Sequence, residues 1–334
     1  MSHYDLYAIG NALVDSEYEV SDALLKTMGV DKRHMTLIDT PRRAELLNHV
    51  QNISPRQTGG GSAGNTVVAL SQLGGKAFYS CKVAHDDLGD FYVKDLAARG
   101  VDTNLNHTRA QEGQTGSCMV LVTPDAERSM CTFLGVSAEL DDAALHPQDI
   151  VKSKIYYMEG YLAASPTGLN AALKGRQIAK DAGVALALTL SDVSMIQFCK
   201  AGLDALLGDG VDYLFCNQEE AQVWCGTQDL NLVRQTLQKL ARTVCLTRGP
   251  EGSEIITANQ RWHVPAEKVR AIDTNGAGDM FAGSFLYAIS RGYSPEQSAA
   301  LGNHAAAAVV SQHGNRLTLG QLSTIKAYVL PNLK

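Results

Sequence analysis

No C-x-x-C pair, no H-E-x-x-H and no cluster of histidines occurs in this sequence, which argues against a dedicated transition-metal site. The seven cysteines, Cys81, Cys118, Cys131, Cys199, Cys216, Cys225 and Cys245, are odd in number and scattered. They read as reduced, mostly buried thiols rather than as a disulfide framework. No apolar run approaches the roughly 20 residues that span a bilayer. The opening MSHYDLYAIG has no basic segment followed by an apolar stretch, so a cytoplasmic location without a secretory signal is expected. A Walker A sequence is missing, and with it any indication of P-loop chemistry. Charge is scarce and unbalanced: charged residues make up 19% of 334, the net charge is −6 and the pI is about 5.8. An acidic surface attracts neither nucleic acid nor an anionic membrane. What is present is a hydrophobic content of 45%, enough for a substantial core. The length suits one large domain with a smaller appendage, or two ordinary domains.

The periodicity alternates between strand and helix. Strand-like runs fall at 5–11, 77–83, 154–158, 184–190, 211–216 and 243–247. Helical stretches lie at about 41–51, 87–99, 167–182, 193–207 and 230–241, and the chain from Gly276 onward reads as helices. Such alternation predicts an α/β fold: a doubly wound, mostly parallel sheet with helices on both faces. Four further strands, at 14–20, 34–38, 115–123 and 127–134, have no crossover helices, and TPDAER between the last two is a turn by composition. They predict a small β-sheet lid over a cleft. The expected division is a core of 1–13, 41–105 and 136–334, with a lid of 14–40 and 106–135. An exposed lid sheet offers unpaired strand edges, so a homodimer through the lid is one expectation.

Two glycine-rich turns stand out. In AIDTNGAGDMFAGSF, Asn275-Gly276-Ala277-Gly278 leads into apolar residues at helical spacing, Phe281, Phe285 and Ile289. Glycines let backbone N–H groups approach an anion, and the mouth of a helix supplies unpaired donors and a favourable dipole. Asp279 lies just inside the first turn. A carboxylate there stabilises its helix by roughly 0.3–1 kcal/mol whatever else it does. Beside an anion-binding turn, it can also take a proton from an attacking hydroxyl. The second turn, TGGGSAGN at 58–65, fits G-x-G-x-x-G literally. It follows the polar, Pro55-containing NISPRQT rather than a strand of a βαβ unit, so the dinucleotide motif reads as accidental. Glu159, closing the strand at 154–158, points at the cleft of a doubly wound sheet and is a candidate substrate contact.

Asp273-Thr274-Asn275-Gly276-Ala277-Gly278-Asp279 matches the D-T-x-G-A-G-D motif of the ribokinase-like, pfkB-type carbohydrate kinases. Gly60-Gly61-Ser62-Ala63-Gly64-Asn65, Gly10-Asn11-Ala12-Leu13-Val14-Asp15 and Asn217-Gln218-Glu219-Glu220 match three further motifs, in the expected order. The chain therefore resembles that family over nearly its whole length, and its adenosine kinase-like branch in the lid residues Glu17 to Val20 and Arg128-Ser129-Met130. The resemblance implies an ATP- and Mg²⁺-dependent kinase with Asp279 as general base and Gly276, Ala277 and Gly278 as anion hole. Asp15, Gly60, Gly61 and Asn65 would contact the substrate. Asn217 and Glu220 would position Mg²⁺ through water. Thr247 and Gly249 would line the ATP phosphates, and Asn303 would face the adenine. Arg128 would reach the phosphates from the lid, and Asp273 would lie near a monovalent-cation site suited to K⁺. Each residue also has a structural role open to it: Asp15 as a strand end, Asn65 as a loop cap, Arg128 as a solvated charge.

The implied reaction is transfer of the γ-phosphoryl group to the 5′-hydroxyl of an adenosine-like ribonucleoside, with Met35, Leu37, Phe133 and Leu134 as candidate base contacts. A free sugar such as ribose, fructose or a keto-deoxy sugar acid is the alternative acceptor, and the sugar acid would need a cation facing its carboxylate. A nucleoside sensor without catalysis and a dinucleotide-dependent oxidoreductase are the alternatives of other classes.

Overall fold

A computed structural model describes residues 3–125 and 127–330. Residues 1–2 and 331–334 at the ends of the expected core, and Ala126 of the expected TPDAER turn, lie outside them. Fourteen strands form among the described residues. In chain order they are β1 (Tyr4–Ile9), β2 (Leu13–Glu19), β3 (Met35–Leu37), β4 (Arg56–Gly60), β5 (Ala77–Ser80), β6 (Val101–Thr103) and β7 (Ser117–Val122). They continue with β8 (Arg128–Phe133), β9 (Ser153–Glu159), β10 (Ala185–Thr189), β11 (Val211–Asn217), β12 (Ala241–Thr247), β13 (Ser253–Thr257) and β14 (Arg261–Val264).

The large sheet has the order β14-β13-β12-β11-β10-β9-β1-β5-β6. From β12 to β6 every pairing is parallel, and β13 and β14 add an antiparallel edge. The chain winds one way from β1 through β5 to β6, and the other way from β9 to β12. The winding direction therefore switches between β1 and β9, and a crevice opens at the carboxyl ends of the strands beside that switch. Burial on both faces follows from strand alternation. Leu6 and Ala8 of β1 join one core cluster, with Phe281 and Phe285 of the helix Ala277–Ser290. Tyr7 and Ile9 join the other, with Ala171 and Ala179 of the helix Pro166–Asp181.

The small sheet has five strands, in the order β3-β8-β7-β2-β4. The fifth, β4, pairs antiparallel with β2, Asp15 opposite Thr58 and Leu13 opposite Gly60. The helix Thr40–Val50 covers the back of this sheet, where Leu46 and Val50 pack on Tyr18, Met119, Leu121 and Cys131. Residues 40–60 thus sit with the small sheet rather than with the expected core. The polar text of Arg56-Gln57-Thr58 hid β4, since this strand runs along a sheet edge and needs no apolar alternation. The glycine motif does follow a strand, but that strand belongs to the small sheet and pairs antiparallel, so no βαβ unit forms around it. The expected helix at 193–207 is two helices, Val193–Phe198 and Lys200–Leu207, and Gln218–Cys225 is a helix of its own.

Candidate active site

The carboxyl ends of the central strands and the helices Ala277–Ser290 and Pro295–Val310 enclose a cleft of about 530 Å³. Ser62, Asn217, Glu220, Thr247, Gly278 and Asp279 are among the residues on its walls. Gly276 caps the first of these helices in the left-handed region, at φ +77°, and a Cβ there would lie 2.7 Å from the Asn315 carbonyl oxygen. Only glycine makes that turn without strain. No side chain caps this helix. The Ala277 amide donates to the Thr274 carbonyl at 3.3 Å, whereas the Gly276, Gly278 and Asp279 amides have no protein acceptor. The donors left for an anion are therefore those of Gly276, Gly278 and Asp279 rather than the expected Gly276, Ala277 and Gly278. A Cβ built on Gly278 meets nothing within 4 Å, so this residue faces open cleft.

Asp279 is half-buried in the cleft wall. Its Oδ1 accepts from Ser62 Oγ at 2.6 Å and its Oδ2 from Asn65 Nδ2 at 2.9 Å. Asn65 in turn accepts from Arg316 Nε at 2.8 Å, and the other arm of Arg316 pairs with Asp95 at 2.6 Å. Both ends of the Asn65 amide are thus engaged within the protein, and Asn65 holds Asp279 in place. Asp15 lies close by, accepting from Asn315 Nδ2 at 2.7 Å. A Cβ on Gly60 would come 2.6 Å from the Asp15 carboxylate, and one on Gly61, at φ +85°, 2.1 Å from the Asn11 carbonyl oxygen. The two glycines are what let β4 and the helix Ser62–Gln72 pass so close to the Asp15 strand.

Three expected roles change in the structure. Glu159 is fully buried, its oxygens accepting from the Asn11 amide at 3.0 Å and the Ala63 amide at 2.7 Å. It ties the end of β1 to the glycine turn and has no face toward the cleft. Arg128 donates to Glu17 and to Asp273, both at 2.6 Å, so it latches the small sheet to the large domain instead of reaching into the phosphate region. Asp273 accepts from Arg128 and from the Gly314 and Asn275 amides. Both Asp273 carboxylate oxygens are thus engaged within the protein.

On the far wall, Asn217 and Glu220 form a reciprocal capping box at the start of the helix Gln218–Cys225, with Asn217 Nδ2 donating to Glu220 Oε1 at 2.5 Å. Both nonetheless line the cleft. Thr247 and Gly249 line it at the end of β12, and Asn303 lines it while donating to the Val264 carbonyl at 2.8 Å. No cluster of three or more acidic, histidine or cysteine side chains suited to a metal occurs among the described residues. Glu220 remains compatible with Mg²⁺, which keeps several waters and is held largely by substrate phosphates.

Burial dominates the electrostatics. It pushes Asp15 and Asp279 up to about 6, against hydrogen bonds and the Arg316 charge, and Glu159 and Glu220 up to about 7. In the window from about pH 4 to 7 the folded chain holds protons that the unfolded chain has released. Stability from these four groups is complete below about pH 4 and is lost as the pH rises through 6 and 7. Asp5, Asp86 and Glu254 are lowered instead, so their contribution changes only below that window. The urea midpoint should accordingly be higher at pH 5 than at pH 8. Glu159→Gln should lower it at both and shrink the difference. An unchanged difference would remove Glu159 from the titrating set.

Ser62, Asn315 and Arg316 are site residues that sequence reasoning gave no role. Ser62 sits inside a motif already singled out. Arg316 lies 251 residues from Asn65 and 221 from Asp95, so no local pattern marks it.

The pfkB family carbohydrate kinase model matches residues 30–321. The fold superposes on the crystal structure of adenosine kinase from Sinorhizobium meliloti with a TM-score of 0.87 and 35% identity, covering 97% of this chain and 99% of that one. A probable sugar kinase protein from Rhizobium etli CFN 42 gives a TM-score of 0.87 at 34% identity, covering 99% of this chain and 100% of the other. Ribokinase from Staphylococcus aureus is 25% identical over 288 residues, 83% of this chain and 90% of its own length. No helix among the described residues is long and apolar enough to cross a membrane.

Proposed function

The chain belongs to the pfkB family of carbohydrate kinases, phosphotransferases with an alcohol acceptor and ATP as donor, and on that premise we propose that it phosphorylates the 5′-hydroxyl of an adenosine-like ribonucleoside. The observation that carries the chemistry is a carboxylate held by two donors at the mouth of a helix whose Gly276, Gly278 and Asp279 amides are free. Asp279 takes the proton of the acceptor hydroxyl as its oxygen attacks. Each Asp279 oxygen spends one lone pair on Ser62 or Asn65 and keeps another for that hydroxyl. The free amides stabilise charge on the transferring phosphoryl group. Mg²⁺, placed with the phosphates near Glu220 and Asn217, would neutralise phosphate charge. The cleft excludes the water that would otherwise compete as acceptor.

The acceptor class rests on the inner face of the small sheet. Asp15 pairs with Cys118, Cys118 with Thr132, and Thr132 with Leu37, so these four side chains form one row on one face. Glu17, Val120, Met130 and Met35 form the next row. A carboxylate for ribose hydroxyls thus continues into an apolar strip that suits a base. Met35 and Leu37 are respectively 47% and 61% exposed, apolar surface that a bound base would cover. Phe133, the third expected base contact, pairs with Ser117 and so lies on the opposite face, where Arg43 stacks over it at 5.2 Å. Met130 and Cys118 take its place. A sugar acid would need a cation facing its carboxylate, whereas Arg128 is committed to Glu17 and Asp273, and Arg316 spends Nε on Asn65 and Nη1 on Asp95.

The test is ADP release with a panel of nucleosides and free sugars. Adenosine should exceed ribose in kcat/KM by about 10²-fold, the effect of about 3 kcal/mol of base burial. Equal rates would support the sugar reading, and no ADP with any acceptor would support a sensor. Leu37→Glu should raise the nucleoside KM about 10-fold with kcat nearly unchanged and the melting temperature held, since this side chain is mostly exposed.

A further inference from the structure

Arg316 has no place in the chemistry above, yet it is the cation most deeply placed among the acceptor-side carboxylates, with only 5% of its side chain exposed. From this geometry we infer that Arg316 is a positioning residue, which locks the Asn65 amide so that its NH₂ faces Asp279 and keeps that carboxylate ready to accept a proton. This reading rests on Asp279 being the general base.

The argument is one of donors and acceptors. A guanidinium has five N–H donors and no acceptor. The Asn65 atom that meets Arg316 Nε at 2.8 Å must therefore be the carbonyl oxygen. That leaves Nδ2 to point at Asp279 Oδ2, at 2.9 Å, as a donor. A donor there favours the ionised carboxylate over the protonated one. Without Arg316, the Asn65 amide can turn over, present its oxygen to Asp279 and favour the protonated acid. Arg316 is itself fixed by Asp95, which also pairs with Arg99 at 2.9 Å. The other titratable groups that feel Asp279 are Asp15, Glu159, Tyr157 and Tyr161, none of them a cation. Arg316 and the hydrogen bonds from Ser62 and Asn65 are what oppose the effect of burial on Asp279.

The experiment compares Arg316→Gln, Arg316→Lys and the unmodified chain by the pH dependence of kcat/KM, and by ¹³C NMR titration of the aspartate carboxyls with Asp279→Asn assigning the resonance. In Arg316→Gln the Asp279 midpoint should move up by about 0.5–1.5 pH units in both measurements. Arg316→Lys should recover part of that shift. Melting curves identify a variant that has merely unfolded. An Asp279 resonance that titrates at the same pH in a folded Arg316→Gln overturns the inference. Because the NMR readout needs no turnover, failure of the kinase reading shows separately, as a chain with the carboxyl shift but no ADP release.

Discussion

Replacing Asp279 with Asn should lower kcat by about 10²–10⁴-fold, or roughly 3–5 kcal/mol of barrier, while leaving ATP affinity and folding nearly intact. The structure explains why the two effects should separate. Arg316 fixes Asn65 with its NH₂ toward residue 279, so the new amide would present its oxygen to Asn65 and its own NH₂ to Ser62. The Ser62 hydroxyl can rotate to accept. The network closes with the same number of hydrogen bonds and without a half-buried charge, so the variant should fold. What it loses is an acceptor basic enough for the substrate proton. Activity of the unmodified chain should fall about tenfold per unit as the pH drops below about 6, the value to which burial raises Asp279. The residual activity of the variant should keep only the part of that dependence that Asp15 carries. Stopped-flow turnover with isothermal titration of an ATP analogue separates the terms, and near-normal kcat in the variant would falsify the assignment of Asp279 as base.

The acidic limb does not belong to Asp279 alone. Asp15, pushed up to about 6 as well, shares the same neighbourhood and feels Asp279 and Arg316. The two carboxyls titrate as coupled groups, and the limb reports the pair. Asp15 lies in the small sheet and Asp279 at the mouth of the helix Ala277–Ser290, so on the proposed reading the first would face the acceptor and the second both acceptor and phosphate. The small sheet therefore carries one of the two carboxyls assigned to the proposed reaction. It is held against the large domain by the Arg128–Asp273 pair and by Asn315 reaching Asp15.

The parts of this site that were legible in the sequence are those whose backbone must do something unusual. Gly276 needs a left-handed φ, Gly61 needs both a positive φ and the absence of a Cβ, and Gly278 must leave space open. Each leaves a glycine in a short text, and Asp279 sits beside two of them. The alternation of strand and helix gave the parallel sheet because both its faces are buried. What stayed hidden depends on pairing between distant segments. β4 is polar because it lies at a sheet edge, and only its partner β2 reveals it. Glu159 looked like a cleft residue because it ends a strand beside the switch point. Its burial follows from the Asn11 and Ala63 amides, which nothing local announces. Arg128 is expected at the phosphates only because the family resemblance places a lid arginine there. Its two carboxylate partners lie 111 and 145 residues away.

Gly278→Val should abolish turnover by at least about 10²–10³-fold while leaving the protein as stable as before or slightly more so. This combination is unusual for a glycine at a tight turn, and it follows from geometry. A Cβ at 278 meets no atom within 4 Å, and the residue lies within the helix Ala277–Ser290 with no positive φ to maintain. Valine forms helix better than glycine by a few tenths of a kcal/mol, so folding should not suffer. The added methyl groups would instead occupy the space in front of the Gly276, Gly278 and Asp279 amides, the space a phosphoryl group must enter to be stabilised. Gly276→Val is the contrasting variant: at φ +77°, with Asn315 oxygen 2.7 Å from its Cβ, it should lower the melting temperature as well as the rate. Circular-dichroism melts and ADP release on the two variants distinguish a blocked anion site from a broken turn. A folded Gly278→Val that still turns over at the normal rate would mean the phosphoryl group does not pass the mouth of this helix, and the mechanism built on it would fall.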